Sequence, residues 1–189
     1  MDSVLIVSSS EKGRSYFTEL LNSCSFSQIT TLKNGGEARR AMIETEYELV
    51  LINTPLSDEF GHELAQMISQ TTTSGIILVV KSDYEDEVSE KVEDYGAVVV
   101  AKPISRVLFN QSLKLVNASR NRLLGLKSEN IKLQQKIEEI RLVDRAKYSL
   151  MQYLKLDEAQ AHRYIEKQAM DMRTTRAKIA QSILNTYEN

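Results

Sequence analysis

SRNRLLGLKSENIKLQQKIEEIRLVDRAK, residues 119–147, contains no Pro and one Gly. Within it Leu123, Leu126, Leu133, Ile137 and Ile140 recur at alternating three- and four-residue steps, with Asn130 at the a position between them and Val116 at the a position before. That is the a/d seam of a coiled coil, a stripe too narrow to form a core alone, so a partner helix is expected. An Asn at an a position commonly sets register and favours a two-stranded pairing at some loss of stability. The flanking charges do not fix orientation: in a parallel dimer Arg122 would meet Lys127 and Lys136 would meet Arg141. Gly125 weakens the helix by about 1 kcal/mol relative to Ala. A homodimer through residues 117–140 is the expectation, with its orientation open.

Upstream of the seam, short β-rich runs alternate with amphipathic segments. Strands are predicted at residues 4–7, 28–32, 49–52, 76–80 and 97–101. Helices are predicted at 11–22, 37–43 (after the turn Asn34-Gly35-Gly36), 63–69 and 85–94, and Ser105 opens a further helix towards the seam. The run at 76–80 is wholly aliphatic, as a strand covered on both faces demands. Five βα units predict an α/β fold, a doubly wound five-stranded parallel sheet over residues 1–116, with a functional crevice at the carboxyl ends of its strands.

Downstream, three helical patterns over 141–189 predict a small bundle. The first face is Leu142, Ala146, Leu150 and Leu154, with Met151 also assigned to the core. The second is Ala161, Ile165, Ala169 and Met172, opened by Asp157 with Gln160 three residues on, a capping-box pattern. The third is Ala177, Ala180, Ile183 and Leu184, with Thr174 as its expected N-cap.

Bulk composition narrows the classes. Hydrophobic residues are 42% and charged residues 26% of the 189, as in a globular protein. No apolar run approaches eighteen residues, so no membrane partner is expected, and the N-terminus reads as a first strand and not a signal peptide. One cysteine, Cys24, cannot form an internal disulfide; it is expected to be a small apolar packer in a reducing cytoplasm. Charge is unevenly split: residues 1–118 carry 10 Lys and Arg against 17 Asp and Glu, while residues 119–189 carry 14 against 9. A polyanion would therefore be met by the back half; a solvated helical surface is the plainer alternative. No metal-ligand cluster, nucleophile–base pair or Gly-rich phosphate loop occurs, and His62 and His162 are isolated, so neither a catalytic residue nor a cofactor is expected.

ELVLINTPLSDEFG (residues 48–61), with Lys102-Pro103 after a later strand, resembles the receiver domain of bacterial response regulators. The resemblance implies an acceptor Asp closing the third strand, two acidic residues after the first strand holding Mg²⁺, a hydroxyl after the fourth and a Lys before a Pro. Here Asn53 stands at the acceptor position, Ser8 and Ser9 at the acidic pair, Val80 at the hydroxyl and Val99 at a switch aromatic. Lys102 alone keeps its residue type. An amide oxygen lacks the nucleophilicity of a carboxylate, and Ser8, Ser9 and Asn53 bring no formal charge to a hard cation. The expectation is a pseudo-receiver with no phosphoryl switch and no metal. Asp58 is the rival acceptor.

AKYSLM (146–151), DEAQAHRYIEKQAMDMR (157–173) and Ile179-Ala180 are similar to the ANTAR domain, an RNA-binding three-helix output module of transcription antiterminators. The matching residues are Ala146-Lys147, Leu150-Met151, Glu158, Ala161, Ala169-Met170 and Ala180; Tyr148 replaces a usual Gly and His162 a usual aromatic. The resemblance implies binding to paired hairpins in an mRNA leader. Arg145, Lys147, Arg163, Lys167 and Arg173 are the expected RNA contacts, with His162, Tyr164 and Met170 as candidate base contacts and Arg176 and Lys178 nearby. A DNA-binding regulator and a protein–protein adaptor stay open beside this reading. The acidic front half is a candidate surface for a regulatory protein.

Overall fold

The computed structural model describes residues 3–22 and 26–187; Asp2 and Cys24 lie outside the described residues. Five strands, β1 (Ser3–Ser8), β2 (Gln28–Leu32), β3 (Leu49–Asn53), β4 (Gly75–Lys81) and β5 (Val98–Lys102), pair in parallel in the order β2-β1-β3-β4-β5. Helices α1 (Glu11–Asn22), α2 (Gly35–Glu44), α3 (His62–Thr71) and α4 (Glu85–Val92) follow the first four strands. Helix α5 (Arg106–Leu154) follows the fifth, and α6 (Glu158–Asp171) and α7 (Arg176–Tyr187) complete the chain.

The chain divides into two compact units, one running to Gly125 and one from Leu126. In the first, the alternation of side chains along each strand sorts the aliphatic residues onto two covered faces. Leu5, Val7, Val50, Ile52, Leu78 and Val80 pack with Ala38, Leu64, Ile68, Val88 and Val92 from α2, α3 and α4. Val4, Ile6, Leu49, Leu51, Ile77 and Val79 pack with Phe17, Leu20 and Leu21 of α1 and with Phe109 and Val116 of α5. Val116 is thus a core residue of the α/β unit, 3% exposed, and not part of the seam. The helix predicted over 85–94 stops at Val92 and passes through a 3-10 turn, Glu93–Tyr95, to Gly96 at φ 68°, a backbone glycine adopts without a Cβ clash.

In the second unit, Val143, Ala146, Leu150, Ala161, Ile165, Ala169, Ile179, Ala180, Ile183 and Leu184 form one core. Several expected core positions differ. Met151, Leu154 and Met172 are exposed, Val143 takes the inward position on α5, and Ile179 is buried more fully than Ala177. Met151 and Leu154 lie in the last turn of α5 and Met172 just past the end of α6, at the margin of a core that Ala, Ile and Leu already fill. The capping box of α6 is present: Asp157 Oδ1 accepts from the Gln160 N–H at 2.7 Å and Gln160 Oε1 from the Asp157 N–H at 3.0 Å. The N-cap of α7 is Thr175, whose Oγ1 accepts from the Lys178 N–H, and not Thr174.

Thr174 instead closes α6. Its N–H donates to Ala169 O at 2.9 Å and that of Arg173 to Met170 O at 3.1 Å, the two bonds of a Schellman motif. Arg173 occupies the left-handed position, φ 49°, where glycine is the usual residue.

Candidate functional sites: a degenerate receiver crevice and a cationic helix face

Parallel pairing sets Ser8 of β1 beside Asn53 of β3 at the carboxyl edge of the sheet. Asn53 Nδ2 donates to Ser8 Oγ at 2.8 Å, while Asn53 Oδ1 is buried without a partner. The first turn of α1 lies directly over this pair. A Cβ at Gly13 would come within 2.5 Å of Ser8 Oγ and 2.7 Å of Asn53 Nδ2, so glycine is what lets the helix sit so close. Arg14 donates to the carbonyl of Ser8 at 2.7 Å and of Ser9 at 3.3 Å, and Ser9 Oγ donates to Pro55 O at 3.2 Å. Where the resemblance implied a carboxylate cluster, the chain places a hydroxyl–amide pair beside a guanidinium. Neutral hydroxyl and amide oxygens that bring no formal charge, with a fixed cation next to them, do not fit Mg²⁺.

Lys102, at the end of β5, reaches across to donate to Thr54 O at 2.8 Å. Burial pushes its ammonium pKa down, and Lys81, its register partner on β4, adds to the shift. Asp58 is engaged elsewhere. Its two oxygens accept from the N–H groups of Gly35 and Gly36, each at 2.9 Å, at the start of α2. Those two bonds hold its carboxyl below the usual carboxylate range. Beside it Arg39 grips Glu59 through a two-pronged ion pair, 2.5 and 2.8 Å. The Asp58 cap and the Arg39–Glu59 pair join residues about twenty positions apart, and no local spacing signals them.

On α6 the buried residues Ala161, Ile165 and Ala169 leave Arg163, Tyr164, Lys167 and Met170 on the opposite, exposed face at helical spacing. Met170 is 72% exposed and Tyr164 40%. Neither Arg163 nor Lys167 has a carboxylate partner among the described residues, and exposed Arg173 follows at the turn. Two expected members of the same set lie apart from it. Lys147 is bound by Asp144 at 2.9 Å and Glu158 at 3.1 Å, with its side chain 16% exposed, and these carboxylates raise its pKa. His162 Nε2 lies 3.2 Å from Glu166, which also meets Arg176 at 3.7 Å. Arg145 is exposed on α5.

Along α5, Leu123, Leu126, Leu133, Ile137 and Ile140 are each about half exposed, and Asn130 is exposed among them. Tyr153 and Tyr187 stack at 5.2 Å, a pairing that the sequence did not signal.

A 2-1-3-4-5 parallel sheet with a Lys-Pro after its last strand defines the class of fold, a receiver-like α/β unit, and a long helix and a helical unit follow it in the chain. Residues 132–184 match the ANTAR domain family. Over 184 residues, 97% of this chain and 89% of the relative, the chain is 26% identical to the transcriptional regulatory protein PdtaR of Mycobacterium tuberculosis. The signal receiver domain of an HD domain-containing protein from Pseudomonas fluorescens Pf-5 matches with a TM-score of 0.59 and 17% identity, over 66% of this chain and 92% of that one. A two-component response regulator from Clostridium difficile matches with a TM-score of 0.55 and 20% identity, over 61% of this chain and 95% of that one. At such identities the structural likeness shows the fold alone. Together these findings give the back of the chain the likeness of an ANTAR domain, over residues 132–184, and the front unit a receiver-like fold. No helix among the described residues is long and apolar enough to cross a membrane.

Proposed function

We propose that this protein is a cytoplasmic transcription antiterminator that binds paired hairpins in an mRNA leader through residues 141–189. The observation that carries the reading is the exposed face of α6, where Arg163, Tyr164, Lys167 and Met170 stand together within the ANTAR match. Hairpin loops splay bases that side chains stack on and bond to, and cations beside an exposed Tyr and Met suit that surface. Arg173 extends the face. Lys147 is assigned mainly to joining α5 to the start of α6, since both its neighbours are carboxylates.

The half-exposed stripe of α5 is the proposed homodimer seam, over residues 117–140. Two output units on one stalk would hold two hairpins at once, and effective concentration would favour the pair over either alone. The receiver-like unit, 1–116, is proposed not to accept phosphate, because the Ser8–Asn53 pair offers neither nucleophile nor metal charge. Its acidic surface is the proposed docking face for a regulatory protein.

The test is binding of the full chain to a two-hairpin leader RNA and to duplex DNA of equal charge, both near 150 mM salt. Affinity for the RNA roughly 100-fold tighter, weakened by Arg163→Ala and Lys167→Ala, is the expected result. Equal, salt-steep binding to both would make the face a non-specific polyanion surface. Binding to neither would leave the helical unit as a protein-assembly module.

A further inference from the structure

The first turn of α1, the end of β3 and the β5–α5 connection line a shallow cleft of about 310 Å³, open to solvent on one side. It lies at the carboxyl edge of the sheet, where the strand order reverses between β1 and β3, the place where doubly wound folds take ligands. Tyr16, Phe17, Pro103 and Ile104 form an apolar wall. The charged groups lining it are Lys12 and Lys102, with no carboxylate among the described lining residues. That is unexpected on composition: residues 1–118 carry seven more acidic than basic side chains. Lys12 has no acidic partner among the described residues, and the hydrogen-bond partner of Lys102 is a neutral carbonyl, Thr54 O. Burial and Lys81 both act against the charge on Lys102, so an anion beside it would compensate a cation that the fold leaves uncompensated.

We propose that this cleft binds a small organic anion, with its acidic group on Lys12 and Lys102 and an apolar body against Tyr16 and Ile104. The volume lies at the small end of ligand pockets, which suits a single-ring compound. A site of this kind gives the receiver-like unit a chemical input without a phosphoryl group. The inference concerns residues 12–104 only, and failure of RNA binding would leave it standing.

The experiment is titration of the full-length protein, labelled with ¹⁵N, with phenylacetate, followed at the amides of Gly13, Asn53 and Ile104. Neutral 2-phenylethanol and inorganic phosphate serve as separate arms at matched ionic strength. Saturable shifts with phenylacetate are expected, with 2-phenylethanol at least roughly tenfold weaker because a charge-assisted bond is lost. Lys12→Gln and Lys102→Gln should each weaken phenylacetate several-fold. Lys12 is exposed, so its variant keeps the fold even if Lys102→Gln disturbs the Thr54 contact. No shift at these amides, equal shifts with the alcohol, phosphate binding as well as phenylacetate, or an unchanged Lys12→Gln titration would each overturn the proposal.

Discussion

Replacing Arg173 by Gly should move stability and RNA affinity in opposite directions. Arg173 holds φ 49° at the left-handed position of the Schellman turn that ends α6. A left-handed conformation costs an L-residue about 1–2 kcal/mol, which glycine escapes. Glycine gives part of that back through its freer unfolded chain, by about 0.4–1 kcal/mol. The net expectation is a gain of about 0.5–1 kcal/mol in the helical unit. Amide exchange at Ile165 and Ala169, the buried face of α6, should slow by roughly two- to fivefold, since about 1.4 kcal/mol is a factor of ten.

The same change removes a proposed phosphate contact. One contact to single-stranded RNA contributes a slope of about 0.7 in log affinity against log salt. At 0.15 M that amounts to about 0.8 kcal/mol, or roughly a fourfold loss of affinity, accompanied by a shallower salt slope. Arg173→Ala separates the two effects, because Ala keeps the Cβ clash and loses only the charge. It should bind RNA as weakly as the Gly variant while exchanging no slower than the parent. Faster exchange in Arg173→Gly would refute the strain argument. Undiminished RNA affinity and salt slope in both variants would remove Arg173 from the interface.

Lys147→Ala should loosen the junction of α5 and α6 by about 1 kcal/mol, since two ion pairs to exposed acids contribute about 0.2–1 kcal/mol each; urea denaturation followed at α6 measures it. Because the folded pKa of Lys147 is raised, this contribution is fully present below the ordinary lysine value and is lost as pH rises through the folded one, so the variant and parent should converge at strongly alkaline pH. Asp58→Ala should cost the α/β unit about 1 kcal/mol as a lost helix cap. The folded pKa of Asp58 is depressed, so its contribution holds above the ordinary carboxylate value and fades as pH falls through the folded one; denaturation at neutral pH and near pH 3 compares the two. Leu133→Asp should give monomers in sedimentation while leaving the circular dichroism unchanged, because the side chain is already 56% exposed within one chain. Asn53→Asp alone should gain no phosphate from acetyl phosphate with Mg²⁺ by intact mass, because Ser8 and Ser9 still bring no charge to the metal.

The alternation of aliphatic runs with amphipathic segments was enough to read the five-stranded parallel sheet. Two-sided burial leaves β3 and β4 nearly all apolar, and that pattern is local. The capping box at Asp157 and the exposed stripe from Leu123 to Ile140 were legible for the same reason, since both are set by spacing within one helix. The absence of acids at Ser8, Ser9 and Asn53 could likewise be read directly. Residue identity alone did not say what each polar group meets across the fold. Lys147 and Arg163 look equivalent in the sequence, yet one lies between two carboxylates and the other faces outward, because helix packing sets their neighbours. Val116 fits the heptad as well as Leu123 does, yet the sheet buries the first and leaves the second half exposed. The cap that Asp58 supplies to α2, the closure of α1 over Ser8 and Asn53, and the cationic cleft of Lys12 and Lys102 all join residues distant in the chain. Tertiary structure decides such features, because burial, charge pairing and hydrogen bonding depend on which surfaces meet, while periodicity records only that a surface is to be covered.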